Sequence, residues 1–328
     1  SMREDGFKQY RRTYLDEAFP TLARAFRAWA DKGVLVPQFH GLEHCNGDGL
    51  CALAREEDER IQEHALDATQ PWWDWEELES PFQGHYVDGT HLPSKPVDAA
   101  TQAFLVREGL SRFASVFGFQ PTSAVAPCYL WNDDTEQEWS KGGIRYIQTA
   151  GYRCTGRDAQ GTYFQDKPWL TFGSRNGLGQ MYLVRNTMFE PTDGRGVQGA
   201  LEEARAAYVQ GLPIVISTHR YNFTRSEDAH RDSLRQFAQL LNGLRELGAL
   251  RYLSSPELGA WVDTPDAPLV HPATGAVWPP LNARSGIAKV SAFLLRLWYR
   301  HPKLRVVACV TGLIVPGFLL ISATRRNG

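Results

Sequence analysis

Gly33-Val34-Leu35-Val36-Pro37-Gln38-Phe39-His40-Gly41-Leu42-Glu43-His44 is the stretch that organises this 328-residue chain. The apolar run before Pro37 predicts a short buried strand, and Gly41 with the polar residues after it predicts the turn that leaves it. His40 and His44 stand four apart, a spacing that lets both rings reach one ion from one face of a helical turn. The same pair also suits two ordinary polar residues of a loop, since two histidines do not make a catalytic zinc site. Glu43 between them reads either as a solvated turn residue or as a base.

Outward from this segment the chain alternates helical and strand patterns. Helical spacing covers residues 7–31, 50–66, 98–117, 134–141, 197–210 and 231–247. Short apolar runs at 33–39, 123–126, 144–147, 181–184, 187–189, 212–217 and 250–253 predict strands, with Leu212 to Ser217 the clearest. Alternation of this kind predicts an α/β fold built on a mainly parallel sheet or barrel. Residues 68–98, with Trp72, Trp73 and Trp75, predict a long loop. The proline-rich residues 264–290 predict a linker after an α/β domain at 1–263.

Four predicted strand ends carry residues suited to chemistry. They are His40 to His44, Ala126 to Asp134, Asn186 to Glu190, and Ser217 to Asn222. In a barrel such ends converge on one cleft. His219 directly follows the clearest strand and is a candidate acid or base, or else a surface histidine. Arg220 suits a carboxylate or an oxyanion, and Asn222, Tyr129 and Trp131 are candidate substrate contacts. Asp133 is a candidate catalytic carboxylate or the cap of the next helix. Paired carboxylates among Glu43, Asp133, Asp134 and Glu190 would instead point to a glycoside hydrolase.

A net charge of −2 and the lack of a basic stripe with interleaved aromatics argue against nucleic-acid binding. Ten Trp and twelve Tyr suit either core packing or a sugar-stacking cleft. Five cysteines without compact spacing predict reduced thiols rather than a disulfide framework. The opening residues are polar and do not resemble a secretory signal. Val306 to Ala323 is uncharged over 18 residues and predicts a membrane anchor within a C-terminal segment at 291–328. Basic residues on both flanks leave its orientation open, and the larger cluster before it leans towards a cytoplasmic main domain.

The order of these motifs resembles the polysaccharide deacetylase family, carbohydrate esterase family four. The residues that carry the resemblance are His40-Gly41-x-x-His44, then Pro127-x-Tyr129, then Ser217-Thr218-His219, then Tyr252 to Leu258. The phrases Pro37 to His44 and His219-Arg220-x-Asn222 are most similar to a divergent branch of that superfamily. The similarity runs over about residues 6–260. It implies a distorted (β/α) barrel that acts on a carbohydrate substrate. It also implies a divalent metal, usually zinc, on His40 and His44, with His219 as the acid. The reaction implied is metal-assisted removal of acyl groups. Two features of the family are missing. No aspartate pair closes an apolar strand upstream of His40, and no arginine precedes Pro127. The resemblance therefore implies a chain that lacks the first barrel strands, or a carbohydrate-binding relative without turnover.

Overall fold

The structure, a computed structural model, describes residues 5–61, 82–248, 250–270, 277–278, 302–312 and 316. Residues 68–81 of the loop predicted at 68–98, with its three tryptophans, lie outside them, as do most of the linker and part of the apolar tail. The chain divides into two compact units, Ser1–Val184 with Ser254–Gly259, and Arg185–Leu253 with Ala260–Gly328.

In the first unit, helices α1 (Leu15–Ala18), α2 (Pro20–Asp31) and α3 (Gly47–Arg55) precede a small antiparallel pair, β1 (Val87–Asp88) and β2 (Lys95–Pro96). The long helix α4 (Ala99–Phe117) follows. Asp98 caps its first turn by accepting from Thr101 N, and Gly118 ends it at φ 76°, a left-handed conformation that glycine adopts freely. Next come β3 (Ser123–Ala124), α5 (Asp133–Lys141), β4 (Tyr146–Thr149), the hairpin β5 (Arg153–Arg157) and β6 (Tyr163–Lys167), and β7 (Met181–Val184). The sheet runs β3-β4-β7, all parallel, with Ser123 opposite Tyr146 and Tyr146 opposite Met181. β4, the central strand, and β7 beside it are buried along their whole length. The core gathers Phe39, Tyr86, Leu105, Phe113, Trp131, Trp139, Ile147 and Tyr182.

In the second unit β8 (Thr187–Met188) pairs in parallel with β9 (Ile216–Ser217). Helices α6 (Val197–Val209), α7 (Tyr221–Thr224) and α8 (Glu227–Arg245) accompany them. Phe189, Ala200, Ala204, Leu240 and Leu244 form its core. α9 (Ser255–Asp263), the pair β10 (Leu269–Val270) and β11 (Val277–Trp278), and α10 (Pro302–Val310) complete the described elements.

The fold is mixed α/β, as the alternation predicts, but among the described residues the strands form small separate sheets and no closed barrel. Two predicted strands shrink for backbone reasons. The N–H groups of Val34 and Leu35 donate to Trp29 O and finish α2, so only Phe39 bridges Ala124, and Val34 is 76% exposed. In the run at 212–217, Pro213 has no N–H to give a ladder, and pairing is confined to Ile216–Ser217. Residues 250–253 form no strand. The expected apolar C-terminal helix is nine residues long where described, with Val306, Val307 and Val310 exposed. Among the described residues no helix is long and apolar enough to cross a membrane. The five cysteines form no disulfide.

Phe39 reaches the sheet because α4 carries a glycine where the two meet. A Cβ on Gly109 would stand 2.8 Å from Phe39 Cζ. In an open helix Gly→Ala stabilises by about 1 kcal/mol. Here the ring sits in a packed core and cannot yield, and overpacking costs about 1–3 kcal/mol. Gly109→Ala is therefore expected to lower stability, by up to about 2 kcal/mol in urea unfolding. A stabilised variant would show that Phe39 is not held against this helix.

Candidate functional site

The chemistry-bearing residues fall into one cluster in each unit. In the first, the parallel bridge of Phe39 to Ala124 puts His40 and the segment after β3 at the same strand ends. Val125 O accepts from His40 Nδ1 at 2.9 Å. That bond protonates Nδ1 and makes Nε2 the lone-pair nitrogen, the tautomer a metal-binding histidine needs. The His40 and His44 ring centroids are 5.2 Å apart at 62°. Glu43 is not a solvated turn residue. Arg12 Nε donates to its Oε1 at 2.8 Å, and the Tyr10 hydroxyl also bonds it. Burial pushes the Glu43 carboxyl above its ordinary range, and Arg12 and Tyr10 pull it back. Tyr10 can lie there because Gly47 has no side chain, since a Cβ would stand 2.3 Å from its ring.

His85, which the sequence reading did not single out, lies beneath this turn. It is buried, Cys45 O accepts from its Nδ1 at 3.2 Å, and its Cδ2 edge faces Gly41. Burial pushes its pKa down to about 4. Its folded value is thus below the unfolded value of about 6.5. Above pH 6.5 both states are neutral and the group costs nothing. As pH falls from about 6.5 towards 4, the unfolded state takes up a proton that the folded state refuses, and stability declines. The expected result is a loss of up to about 3 kcal/mol across that window in wild type and a flatter profile in His85→Leu. Parallel profiles from guanidinium unfolding at several pH values would exclude His85 as the cause.

The segment after β3 is strained. Cys128 and Tyr129 both have positive φ, 53° and 56°, which bulky residues seldom adopt. Tyr129 is half-buried, with its ring 5.8 Å from that of Tyr152. Trp131, an expected sugar contact, is fully buried and donates from Nε1 to Glu136 at 3.0 Å, so it presents no face to a ligand. Asp133 does not cap α5. Asn132 does, accepting from Thr135 N, while Asp133 opens the helix and accepts from Arg153 at 2.6 Å. Arg153 holds the Asp133 carboxyl below its usual range.

In the second unit β8 and β9 run parallel and end side by side, so Glu190 and His219 emerge together. Glu190 Oε1 accepts from His219 Nδ1 at 2.7 Å, and Glu190 Oε2 from His219 N at 3.2 Å. Asn222 is wholly buried. Its amide donates to Glu190 Oε2 and to His219 O, and its Oδ1 accepts from Thr192 N and Oγ1. Asn222 therefore braces the pair from within rather than facing a substrate. Glu190 is buried while the His219 side chain is 48% exposed, so the carboxylate orients a ring that solvent reaches. Nδ1 is held by Glu190, which leaves Nε2 to exchange protons. Arg220 is exposed beside it. Sequence reasoning placed Glu190 at a strand end but missed its partnership with His219. The signal was available, because two consecutive short strands that pair in parallel bring the residues after them together.

No family model matches the chain, and no curated protein matches it. Among solved structures, the crystal structure of a "putative polysaccharide deacetylase from Mycobacterium smegmatis" aligns with 49% of this chain at 17% identity and a TM-score of 0.24. The alignment spans 62% of that structure's chain, less than two thirds of its length.

Proposed function

We propose that this chain is a carbohydrate-modifying hydrolase that removes acyl groups, acetyl in the first instance, with His219 as its acid–base group. The observation that supports this reading most is the 2.7 Å bond from His219 Nδ1 to the buried Glu190 carboxylate. A buried carboxylate behind a half-exposed imidazole fixes its tautomer and favours its protonated form, as proton transfer at a leaving group requires. The acyl and carbohydrate parts rest on the motif order His40-Gly41-x-x-His44, Pro127-x-Tyr129 and Ser217-Thr218-His219. In the proposed step water adds to the acyl carbon and the bond to the sugar nitrogen or oxygen breaks. His219 Nε2 gives its proton to the leaving atom and takes one back from the added water. Arg220, the next residue in sequence and exposed, is assigned to the developing oxyanion.

The metal implied by the motifs would sit on His40 and His44. His40 meets the requirement, with Nδ1 tied to a backbone carbonyl. A catalytic zinc takes three protein ligands, and among the described residues no three His, Cys, Asp or Glu side chains gather to hold one. The donor set is therefore incomplete, and no step above is routed through a metal.

The glycosidase reading finds less support. Glu43 is held by Arg12, Asp133 by Arg153, and Glu190 by His219, so none of the three stands ready with a second carboxylate. The deciding experiment incubates the full chain with N-acetylated and O-acetylated oligosaccharides, with and without added Zn2+, and measures acetate and new reducing ends. Acetate release is expected. New reducing ends without acetate would establish the glycosidase, and sugar binding without either product would establish a binding protein.

A further inference from the structure

Three residues of one short turn grip three residues of another. Glu190 holds His219, Thr192 holds Asn222, and Asp193 accepts from the hydroxyl of Tyr221. The Tyr221 ring lies almost parallel to that of His219, at 12° and 5.6 Å between centroids. This is an offset stack, within the usual range for aromatic pairs. We propose that Tyr221, anchored by Asp193, is a positioning residue that holds the His219 ring in place and stabilises its protonated form through the π face. The proposal deepens the reading above and rests on His219 being the acid–base group.

The hydroxyl of Tyr221 serves as the anchor and its ring as the contact. Burial and the bond to Asp193 push its pKa up, so it stays a donor through the working range. The charged groups around the stack are Glu190 and Asp193 on the first turn, and Arg220 and Arg225 on the second. The Arg225 guanidinium lies 5.4 Å from the centroid of the Tyr221 ring. His230 of α8 is turned to Phe223 O at 2.9 Å. Glu190 favours the imidazolium and the arginines oppose it, and the Tyr221 hydroxyl also bonds Glu190, so Tyr221→Phe separates loss of that bond from loss of the ring.

The test is an NMR titration of the full chain, with the His219 imidazole assigned through His219→Gln. Tyr221→Leu removes the stack. It is expected to lower the His219 pKa by about half a unit, the size a cation–π contact at a half-exposed site gives. It should also abolish the ring-current shift on His219 Hε1. Tyr221→Phe keeps the ring and loses the anchor, so it should lose part of that shift, and Asp193→Asn should reproduce that partial loss. An unmoved pKa and ring-current shift in Tyr221→Leu would overturn the proposal. Should the Leu variant not fold, Asp193→Asn decides, because an unchanged His219 signal there removes the anchor. These readouts need no substrate. Wild type without acetate release but with the NMR coupling intact refutes the hydrolase alone, and turnover without the coupling refutes this inference alone.

Discussion

His219→Ala is expected to lower acetate release by about 10²–10⁴-fold, the usual contribution of a positioned acid or base. The ring is half exposed and its backbone N–H bonds Glu190 whatever the side chain, so the variant should fold. Glu190→Gln tests the second half of the claim. A glutamine can offer its NH2 to Nδ1, which inverts the histidine tautomer and removes the charge that favours the imidazolium. It is expected to reduce turnover by about 10²-fold or more with KM little changed. Wild-type rates in His219→Ala would sink the assignment, and a rate lost only through KM would turn His219 into a binding residue.

The second large effect concerns the carboxylate network behind α5. Arg153 is buried and donates to Asp133 at 2.6 Å, to Asp166 through two nitrogens, and lies 3.2 Å from Glu136. Glu136 is itself buried and also accepts from Trp131 Nε1, Tyr182 OH at 2.8 Å and Asn176 at 2.8 Å. Arg153→Leu leaves Glu136 buried with Lys167, 3.5 Å away, as a cation beside it. Removing one partner of a buried ion pair typically costs about 3–5 kcal/mol, because the other charge is left unpaired in a poor solvent. That loss is expected in urea unfolding followed by tryptophan fluorescence, which Trp131 and Trp139 beside the network report. Glu136→Gln should cost less, since Arg153 keeps Asp133 and Asp166. Equal losses, or a loss below about 1 kcal/mol for Arg153→Leu, would show that solvent reaches the network.

Much of the local structure was legible in the residues. Residues 98–117 read as a helix ending at Gly118, and the structure forms α4 over Ala99–Phe117 with Gly118 in the left-handed region. Met181–Val184 read as a strand and is one. These patterns are carried by short-range periodicity and by single residues with one conformational job, so no distant contact is needed to see them. The hairpin Arg153–Lys167 was not legible, because its outer strand is exposed and shows no alternation.

The residues by themselves determined where the chemistry-bearing types stand: His40 and His44 after one apolar run, His219 after another, Glu190 after a third. What they could not determine is partnership. Glu43 pairs with Arg12 from 31 residues away, Trp131 turns inward to Glu136, and Glu190 meets His219 across 29 residues. Each depends on which strands lie side by side and which side chains share a desolvated space. Periodicity cannot encode that, because a carboxylate has the same propensity whether it ends up facing water, arginine or imidazole. The tertiary structure decides it, since a buried charge is tolerated only where packing supplies the group that compensates it.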